Sequence, residues 1–263
     1  MDREPTSVAF DRAAGYYDAT RGFSIEGERA ITELLSEELA GRGRVLEVGV
    51  GTGQVALPLH AAGIPIVGID LARPMMDVLV EKAGGSSPFP LVQADATRMP
   101  FADDTFGAAY LRWVLHLIPD WRTAVAEMAR VVPPGGILLA SLGSYGGPRA
   151  EIQERFAELA GVSIDPVGLD WSGQEGLDEA MAELGAAKRE LPPIIETERN
   201  GLEEFMDGIA NNAYSWTWKV EDPTRLAQVA GEVRRWVEDR YGPLADIPRE
   251  TFEVLWVAYD LPT

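Results

Sequence analysis

The sequence predicts an α/β fold, with a mostly parallel sheet, helices on both faces, a terminal antiparallel hairpin and a helical cap inserted before the last strand. Three observations predict it. Short β-rich runs alternate with helical segments from residue 44 to residue 142, as in a parallel sheet covered by helices. Runs such as 64–69 (IPIVGI) are apolar throughout rather than alternating, as expected when both faces of a strand are buried. After residue 144 the alternation gives way to helical segments, and a strongly β-prone run closes the chain at 251–260.

Residues 6–20 read as a helix capped by Thr6 or Ser7. Residues 24–40 read as a second, with Ser24 as its cap and Ile31, Leu34, Leu35 and Leu39 as its apolar stripe, ended by Gly41-Arg-Gly43. The strand-like runs are 44–48, 64–70, 88–93, 105–111 and 136–142, and the helical segments between them are 53–62, 73–83 and 119–131. Residues 143–148 form a loop, and 149–161 and 174–185 are helical. A β-prone run at 187–199, interrupted by Pro192-Pro193, precedes helices at 201–213 and 223–241. The run at 251–260, with Phe252, Val254, Leu255, Trp256, Val257 and Tyr259, is expected to pair with 187–199 as a hairpin at the sheet edge. The chain therefore divides into a core with N-terminal lid helices (1–144), a helical cap that includes the edge strand (145–250) and a last core strand (251–263).

Composition narrows the function. The 263 residues are 46% hydrophobic and 25% charged, as in an ordinary globule. The formal charge is −19, and a nucleic-acid binder needs positive surface to displace counterions from phosphates. The densest basic runs, Arg42 with Arg44 and Arg234 with Arg235, adjoin acids. Nucleic acid and anionic membrane are thus not expected partners. Cysteine is absent and histidine occurs only at His60 and His116, so disulfides, thiolate chemistry and a histidine-rich metal site are excluded; no metal is expected. The polar N-terminus and the lack of a long apolar run lead to an expected cytoplasmic location. Oligomeric state is not legible, a homodimer through the cap helices being one arrangement.

The strongest motif is Val45-Leu-Glu47-Val-Gly49-Val-Gly51-Thr-Gly53-Gln, where the first strand turns into a helix. Glycines there let the backbone bend tightly and approach a ligand. Gly51-Thr-Gly53-Gln-Val-Ala56 also fits the dinucleotide fingerprint. Glu47 adds a second observation, because a carboxylate at a strand end is costly without a partner. A ligand ammonium or a cationic cofactor would be one.

The run Glu47-Val-Gly49-Val-Gly51-Thr-Gly53 resembles the E/D-x-G-x-G-x-G signature of class I S-adenosylmethionine-dependent methyltransferases, in particular the small-molecule, UbiE-like, methyltransferase type 11 group. Asp70-Leu71-Ala at the second strand end is similar to the segment whose acid holds the ribose hydroxyls in that family, a role suited to an acceptor-only group. Asp95-Ala96 is similar to the segment that meets the adenine. Met99-Pro-Phe101-Ala-Asp103-Asp-Thr-Phe106 and Val131-Val-Pro-Pro134-Gly135-Gly136 resemble further family runs. The segment from Phe10 to Asp18 is similar to a helix that closes over the cofactor. The resemblance covers residues 10–142 and implies a Rossmann-like, seven-stranded, mostly parallel sheet. It implies S-adenosylmethionine as cofactor, with S-adenosylhomocysteine as product, and a site of Tyr17, Glu47, Gly49, Gly51, Gly53, Asp70, Leu71, Asp95, Ala96 and Leu111.

The implied reaction is in-line methyl transfer to a small-molecule acceptor, with oxygen or nitrogen ahead of carbon. Proximity and alignment dominate such catalysis. The loop after the fourth strand, from Tyr110 to Asp120, faces the methyl group in that family. His116 is the candidate base. Arg112 suits an acidic group on the acceptor, although a structural pairing with Asp95 or Asp120 would occupy it equally well. Trp113, Tyr214 and Trp216 are candidate aromatic walls, with core packing as the alternative, and Trp171 is a candidate lid residue. No [DNS]-P-P-[YF] segment of the kind used for amino-methylation of DNA bases occurs. Two other functions fit the same glycine turn: a nicotinamide-dependent oxidoreductase and a non-catalytic cofactor-binding protein.

Overall fold

The computed structural model describes residues 7–143, 146–170 and 173–263. Trp171 and Thr6 lie outside the described residues. Seven strands form one sheet: β1 (Val45–Val48), β2 (Ile66–Asp70), β3 (Leu91–Gln93), β4 (Ala108–Arg112), β5 (Ile137–Ser141), β6 (Ala187–Glu190) and β9 (Val257–Asp260). Their order is β3-β2-β1-β4-β5-β9-β6. Pairings from β3 through β5 are parallel, and β9 runs antiparallel to both β5 and β6. Strand order reverses direction between β1 and β4, the switch point where sheets of this type open a crevice at their carboxyl ends.

Helices cover both faces. On one side pack α2 (Ile25–Leu39), α3 (Ala56–Ala61) and α4 (Arg73–Lys82). Ser24 caps α2 by accepting from the Gly27 N–H at 2.9 Å, which satisfies one of the orphan donors of the first turn. The expected stripe of α2 is the one buried: Ile31, Leu35 and Leu39 join Val45, Ile66, Tyr110 and Leu139 in one core. Each such side chain removed from water contributes roughly 1.5–3 kcal/mol. The opposite face packs Leu46, Val67, Ile69 and Leu138 against Val125 and Met128 of α5 (Trp121–Arg130) and against Leu177 and Met181 of α7 (Gln174–Glu183).

A third core belongs to the cap. Ile152 and Phe156 of α6 (Gly147–Ala160), Phe205 and Ile209 of α8 (Leu202–Ala210) and Val229 and Val233 of α9 (Pro223–Tyr241) pack together with Tyr214 and Trp216. The region 145–250 therefore does not act as one cap: α7 and β6 belong to the sheet.

Two elements differ from expectation. The helix anticipated at 6–20 is a 3₁₀ turn at Asp11–Ala13 followed by a short α1 (Tyr17–Arg21). Gly15 and Tyr16 separate them, Tyr16 adopting φ −133°. Glycine is a poor helix former, and the rings of Phe10 and Tyr17 flank the break edge to face at 5.9 Å. The anticipated hairpin of 187–199 with 251–260 forms in two pieces. Beyond the β6–β9 pairing, β7 (Ile194–Thr197) and β8 (Thr251–Val254) make a separate two-stranded sheet. Pro192 and Pro193 have no N–H to donate to a ladder, so the ribbon breaks where they fall.

Candidate active site

The glycine turn follows β1 directly. Gly49, Gly51 and Gly53 all have positive φ, at 76°, 51° and 78°, a region L side chains avoid. Their reasons differ. A Cβ on Gly49 would sit 2.4 Å from Val114 and one on Gly53 2.8 Å from Leu79, so these two are glycine to let the turn pack on the protein. A Cβ on Gly51 would meet nothing closer than 3.5 Å, yet Gly51 lines a cavity of about 720 Å³. It is the glycine that leaves room for a ligand.

Asp70, at the tip of β2, organises the turn. Its Oδ2 accepts from the Gly51 N–H and its Oδ1 from the Ala72 N–H, both at 2.8 Å. Each carboxylate oxygen has a second lone-pair site, and Asp70 lines the cavity. Burial raises its pKa against the pull of the Ala72 and Gly51 N–H groups. Asp95 follows β3. Its Oδ1 accepts from the Thr97 N–H at 2.9 Å and the Thr97 hydroxyl at 2.8 Å, and it too lines the cavity. Leu71 and Ala96 stand beside them on the wall.

Glu47 is not on that wall. It is 3% exposed and accepts from the Tyr110 hydroxyl at 2.9 Å. Burial pushes its carboxyl up to about 8, against the Tyr110 hydrogen bond and the nearby Arg112 charge. The partner that the sequence demanded for this carboxylate is Tyr110, so the expected contact with a ligand ammonium is replaced by an internal one. Three other expected contacts also point elsewhere. Gly53 faces Leu79 and Leu57, Leu111 is buried in the sheet core, and Tyr214 stacks on Trp216 within the cap at 5.4 Å. None of the three lines the cavity.

The other candidates come together. Tyr17, Arg112, Trp113, His116 and Trp216 all line the cavity with Gly49, Asp70 and Asp95. Trp113 adopts φ 54°, a strained conformation for a bulky residue and one that clusters at functional sites. Its N–H donates to Ser141 O at 3.0 Å, and its indole occupies the space a Cβ on Gly143 would need. His116 lies on a 3₁₀ turn at Leu115–Leu117. Burial, helped by the Arg21 charge, lowers its pKa to about 4, so the imidazole is neutral at physiological pH.

Several wall residues carry little sequence signal. Phe10 and Arg21 line the cavity. Arg21 lies over the Phe10, Tyr17 and Tyr214 rings and donates to Ala213 O at 3.1 Å, tying α1 to the cap. Asp18 anchors α1 to the glycine turn: its Oδ1 accepts from Thr52 Oγ1 at 2.6 Å and Gln54 Nε2 at 2.8 Å, and its Oδ2 from Lys82 Nζ at 2.8 Å. Burial pushes Asp18 up, but those donors outweigh it and hold the carboxyl below its ordinary value. Farther under the cap, Arg149 pairs with Glu198 at 2.5 Å, both nearly buried. Phe10 and Asp18 fall inside the family-like N-terminal segment, which was their available signal. The Arg149–Glu198 pair had none.

A parallel sheet with a switch point at β1/β4, a turn in which one glycine faces a cavity, and acceptor-only carboxylates at the next two strand ends define a protein that binds an adenosyl group. The residues fit that group: Gly51 leaves space, and Asp70 and Asp95 offer lone pairs for hydroxyls and an amine. Comparison with known proteins gives the same class. The family model described as "Methyltransferase domain" matches residues 46–140. A demethylmenaquinone methyltransferase of Clavibacter sepedonicus is 32% identical over 69% of this chain and 77% of its own length. A phosphatidylethanolamine N-methyltransferase of Cereibacter sphaeroides is 32% identical over 60% of this chain and 79% of its own length. The demethylmenaquinone methyltransferase of Mycolicibacterium paratuberculosis is 34% identical, but the chain spans only 60% of its length. Among solved structures, the YcgJ protein from Bacillus subtilis superposes with a TM-score of 0.59 at 19% identity, covering 89% of this chain and 99% of that one. The chain belongs to the class I S-adenosylmethionine-dependent methyltransferases. Among its described residues no helix is long and apolar enough to cross a membrane, and no cluster suited to a metal ion occurs.

Proposed function

We propose that this protein transfers the methyl group of S-adenosylmethionine to an oxygen or nitrogen of a small, largely apolar acceptor. The observation that carries the reading is that one cavity joins two chemically different ends. Its cofactor end has Gly49, Gly51, Asp70 and Asp95, and its acceptor end has Phe10, Leu117, Ile164, Trp216 and Phe252. An aromatic and aliphatic wall of this kind suits a planar or apolar body.

When bound, the cofactor supplies a methyl group already activated as a sulfonium. What remains for the protein is to bind, align and exclude water. Asp70 and Asp95 hold the nucleoside. Trp113 and Trp216 frame the acceptor, and Tyr17 on α1 closes the chamber, anchored through Asp18. His116, neutral and facing the cavity, takes the acceptor's proton at a ring nitrogen. An imidazole of such low basicity suits a hydroxyl acceptor, because the oxygen's proton becomes strongly acidic as the methyl group bonds. Nitrogen follows, where the amine must arrive unprotonated. Carbon methylation, the reaction named for the menaquinone relatives, asks more of a base. This places oxygen ahead of nitrogen and carbon last. The cavity and the −19 charge support a small-molecule acceptor over nucleic acid.

The test is calorimetry followed by turnover. S-adenosylhomocysteine should bind saturably while NAD does not, and a labelled-methyl assay over phenols, amines and quinols should give product with phenols first. Tight NAD binding without S-adenosylhomocysteine binding reverses the reading in favour of an oxidoreductase. Cofactor binding without turnover on any acceptor favours a non-catalytic binding protein.

A further inference from the structure

The cap end of the cavity carries more charge than an apolar acceptor needs. Residues 194–197 pair with 251–254, and the Glu198 N–H donates to Glu250 O at 2.9 Å, extending the ladder by one step. Glu198 and Glu250 are therefore directly opposed, and opposed like charges destabilise a ribbon. Both line the cavity. Arg149 on α6 acts on both. It pairs with Glu198 at 2.5 Å, while Glu250 meets it as a charge alone, without a hydrogen bond. Burial raises both carboxyls above the ordinary glutamate value; Arg149 opposes it at each, and the Glu250 charge adds to it at Glu198. With Glu154 and Arg199, α6 and the flanks of the β7–β8 ribbon bring two cations and three carboxylates to the cavity.

A second observation is independent of those charges. Gln153 is 7% exposed and lines the cavity one helical turn beyond Arg149, the spacing that puts two residues on one face. With no hydrogen-bond partner among the described residues and none of its polar atoms sealed in the interior, its amide opens onto the cavity. Buried amides are ordinarily paired. The start of α6 is shaped around the neighbouring carboxylate: a Cβ on Gly147 would collide with Glu250 Oε1. These features discriminate between ligand ends. An anion would meet the surplus carboxylate, and an apolar end would leave the Gln153 amide unpaired. An ammonium donates to the Glu250 carboxylate and to the Gln153 carbonyl, and it neutralises the surplus charge.

We propose that the cap end of the cavity is an ammonium subsite, in which Gln153, Glu198 and Glu250 hold a protonated amine on the acceptor, away from the atom that is methylated. The acceptor is then an apolar body with a nucleophilic oxygen at one end and a basic nitrogen at the other. This rests on the methyl-transfer reading above and adds to it the group that selects among apolar acceptors. Arg149 keeps Glu198 ionised and placed, and the incoming cation supplies the counter-charge that Glu250 lacks.

The test is calorimetry on the S-adenosylhomocysteine-loaded protein with three matched phenols: 4-(2-aminoethyl)phenol, a cation; 4-ethylphenol, which is neutral; and 3-(4-hydroxyphenyl)propanoate, an anion. The cation should bind about tenfold or more tighter than the neutral phenol, the step expected of one charge-assisted hydrogen bond, and the anion should bind weakest. Glu250→Gln and Gln153→Leu should each cut the cation's advantage to about threefold or less, a ratio that a general loss of stability does not move. A wild type that binds the cation no better than the neutral phenol, or binds none of the three, overturns the inference alone, since bound S-adenosylhomocysteine leaves the cofactor reading standing. A preference for the anion also overturns it, and assigns Arg149 to an acidic acceptor. A protein that does not bind S-adenosylhomocysteine overturns the inference together with the methyl-transfer reading. The wild-type comparison needs no variant, so a misfolded substitution does not shelter the proposal.

Discussion

On the cofactor side of the cavity, Gly49, Gly51, Asp70 and Asp95 each lie within a few residues of a strand end, and Asp70 and Asp95 use nearby backbone N–H groups as partners. Under the cap the wall is assembled from Phe10, Arg149, Glu198, Trp216 and Phe252, drawn from segments spread along the whole chain and joined by side-chain pairs such as Arg149–Glu198. The first half depends on local backbone geometry at the strand ends. The second depends on long-range packing, which can change without touching the sheet. A scaffold built this way fixes one ligand and leaves the other free to vary.

That contrast predicts effects that separate. The largest should come from Arg149→Met. It leaves Glu198 buried without its counter-charge, and breaking such a pair costs about 3–5 kcal/mol. Denaturant unfolding should register the loss, Glu198→Gln on top of it should recover much of it, and the affinity of the folded protein for S-adenosylhomocysteine should not change. A large affinity change would erase the distinction between the halves. Asp70→Ala should do the reverse. It should lower cofactor affinity by about 2–4 kcal/mol, the worth of two hydrogen bonds to a charged acceptor, with the cap's stability intact.

His116→Gln comes next. A positioned base is worth 10² or more in rate when its pKa matches the task, and an imidazole near 4 falls short of that match. We expect kcat to drop by about a hundredfold or less, with cofactor affinity unchanged. Because His116 stays neutral until the pH falls toward 4, the wild-type kcat should show no acid limb between about pH 5.5 and 8 from this group. A limb near 6.5 would reassign the base.

The smallest effect on binding should come from Glu47→Gln, despite the motif position of that residue. Its signature is instead in stability. With a carboxyl raised to about 8 from 4.5, the folded state keeps a proton that the unfolded chain has released. Wild-type stability should therefore fall as pH rises from about 4.5 to about 8 and then level off. In Glu47→Gln that part of the slope should vanish. An unchanged slope in thermal melts, or a large loss of cofactor affinity, would return Glu47 to the ligand site.

The acid at the end of β1 and the acid at the end of β2 carry the same lesson about sequence. Both Glu47 and Asp70 stand at strand ends beside a glycine turn, and both read as ligand contacts. Asp70 stands on the cavity wall, while Glu47 turns to Tyr110. By register Glu47 lies opposite Gly68 and Asp70 two residues further on, so the two share a face, and only the step along the strand to its tip changes what each carboxylate meets. Glu196 carries no motif at all, yet it is 2% exposed and accepts from the Ser24 N–H at 3.0 Å, in the space a side chain on Gly27 would fill. It docks the β7–β8 ribbon on the start of α2.

What the sequence determined by itself was local: strand–helix alternation, the position of the glycine bend, the acids that follow it and the Ser24 cap. Each of these is set by backbone dihedrals and side-chain periodicity within a few residues. The tertiary structure alone decided which carboxylate faces the cavity, that α7 packs on the sheet rather than in the cap, that Arg149 meets Glu198 and that Arg112 stacks on Phe23 and Trp113. Those outcomes depend on burial and on charges brought in from distant segments, and burial is what turns an ordinary ionised side chain into one that must find a partner.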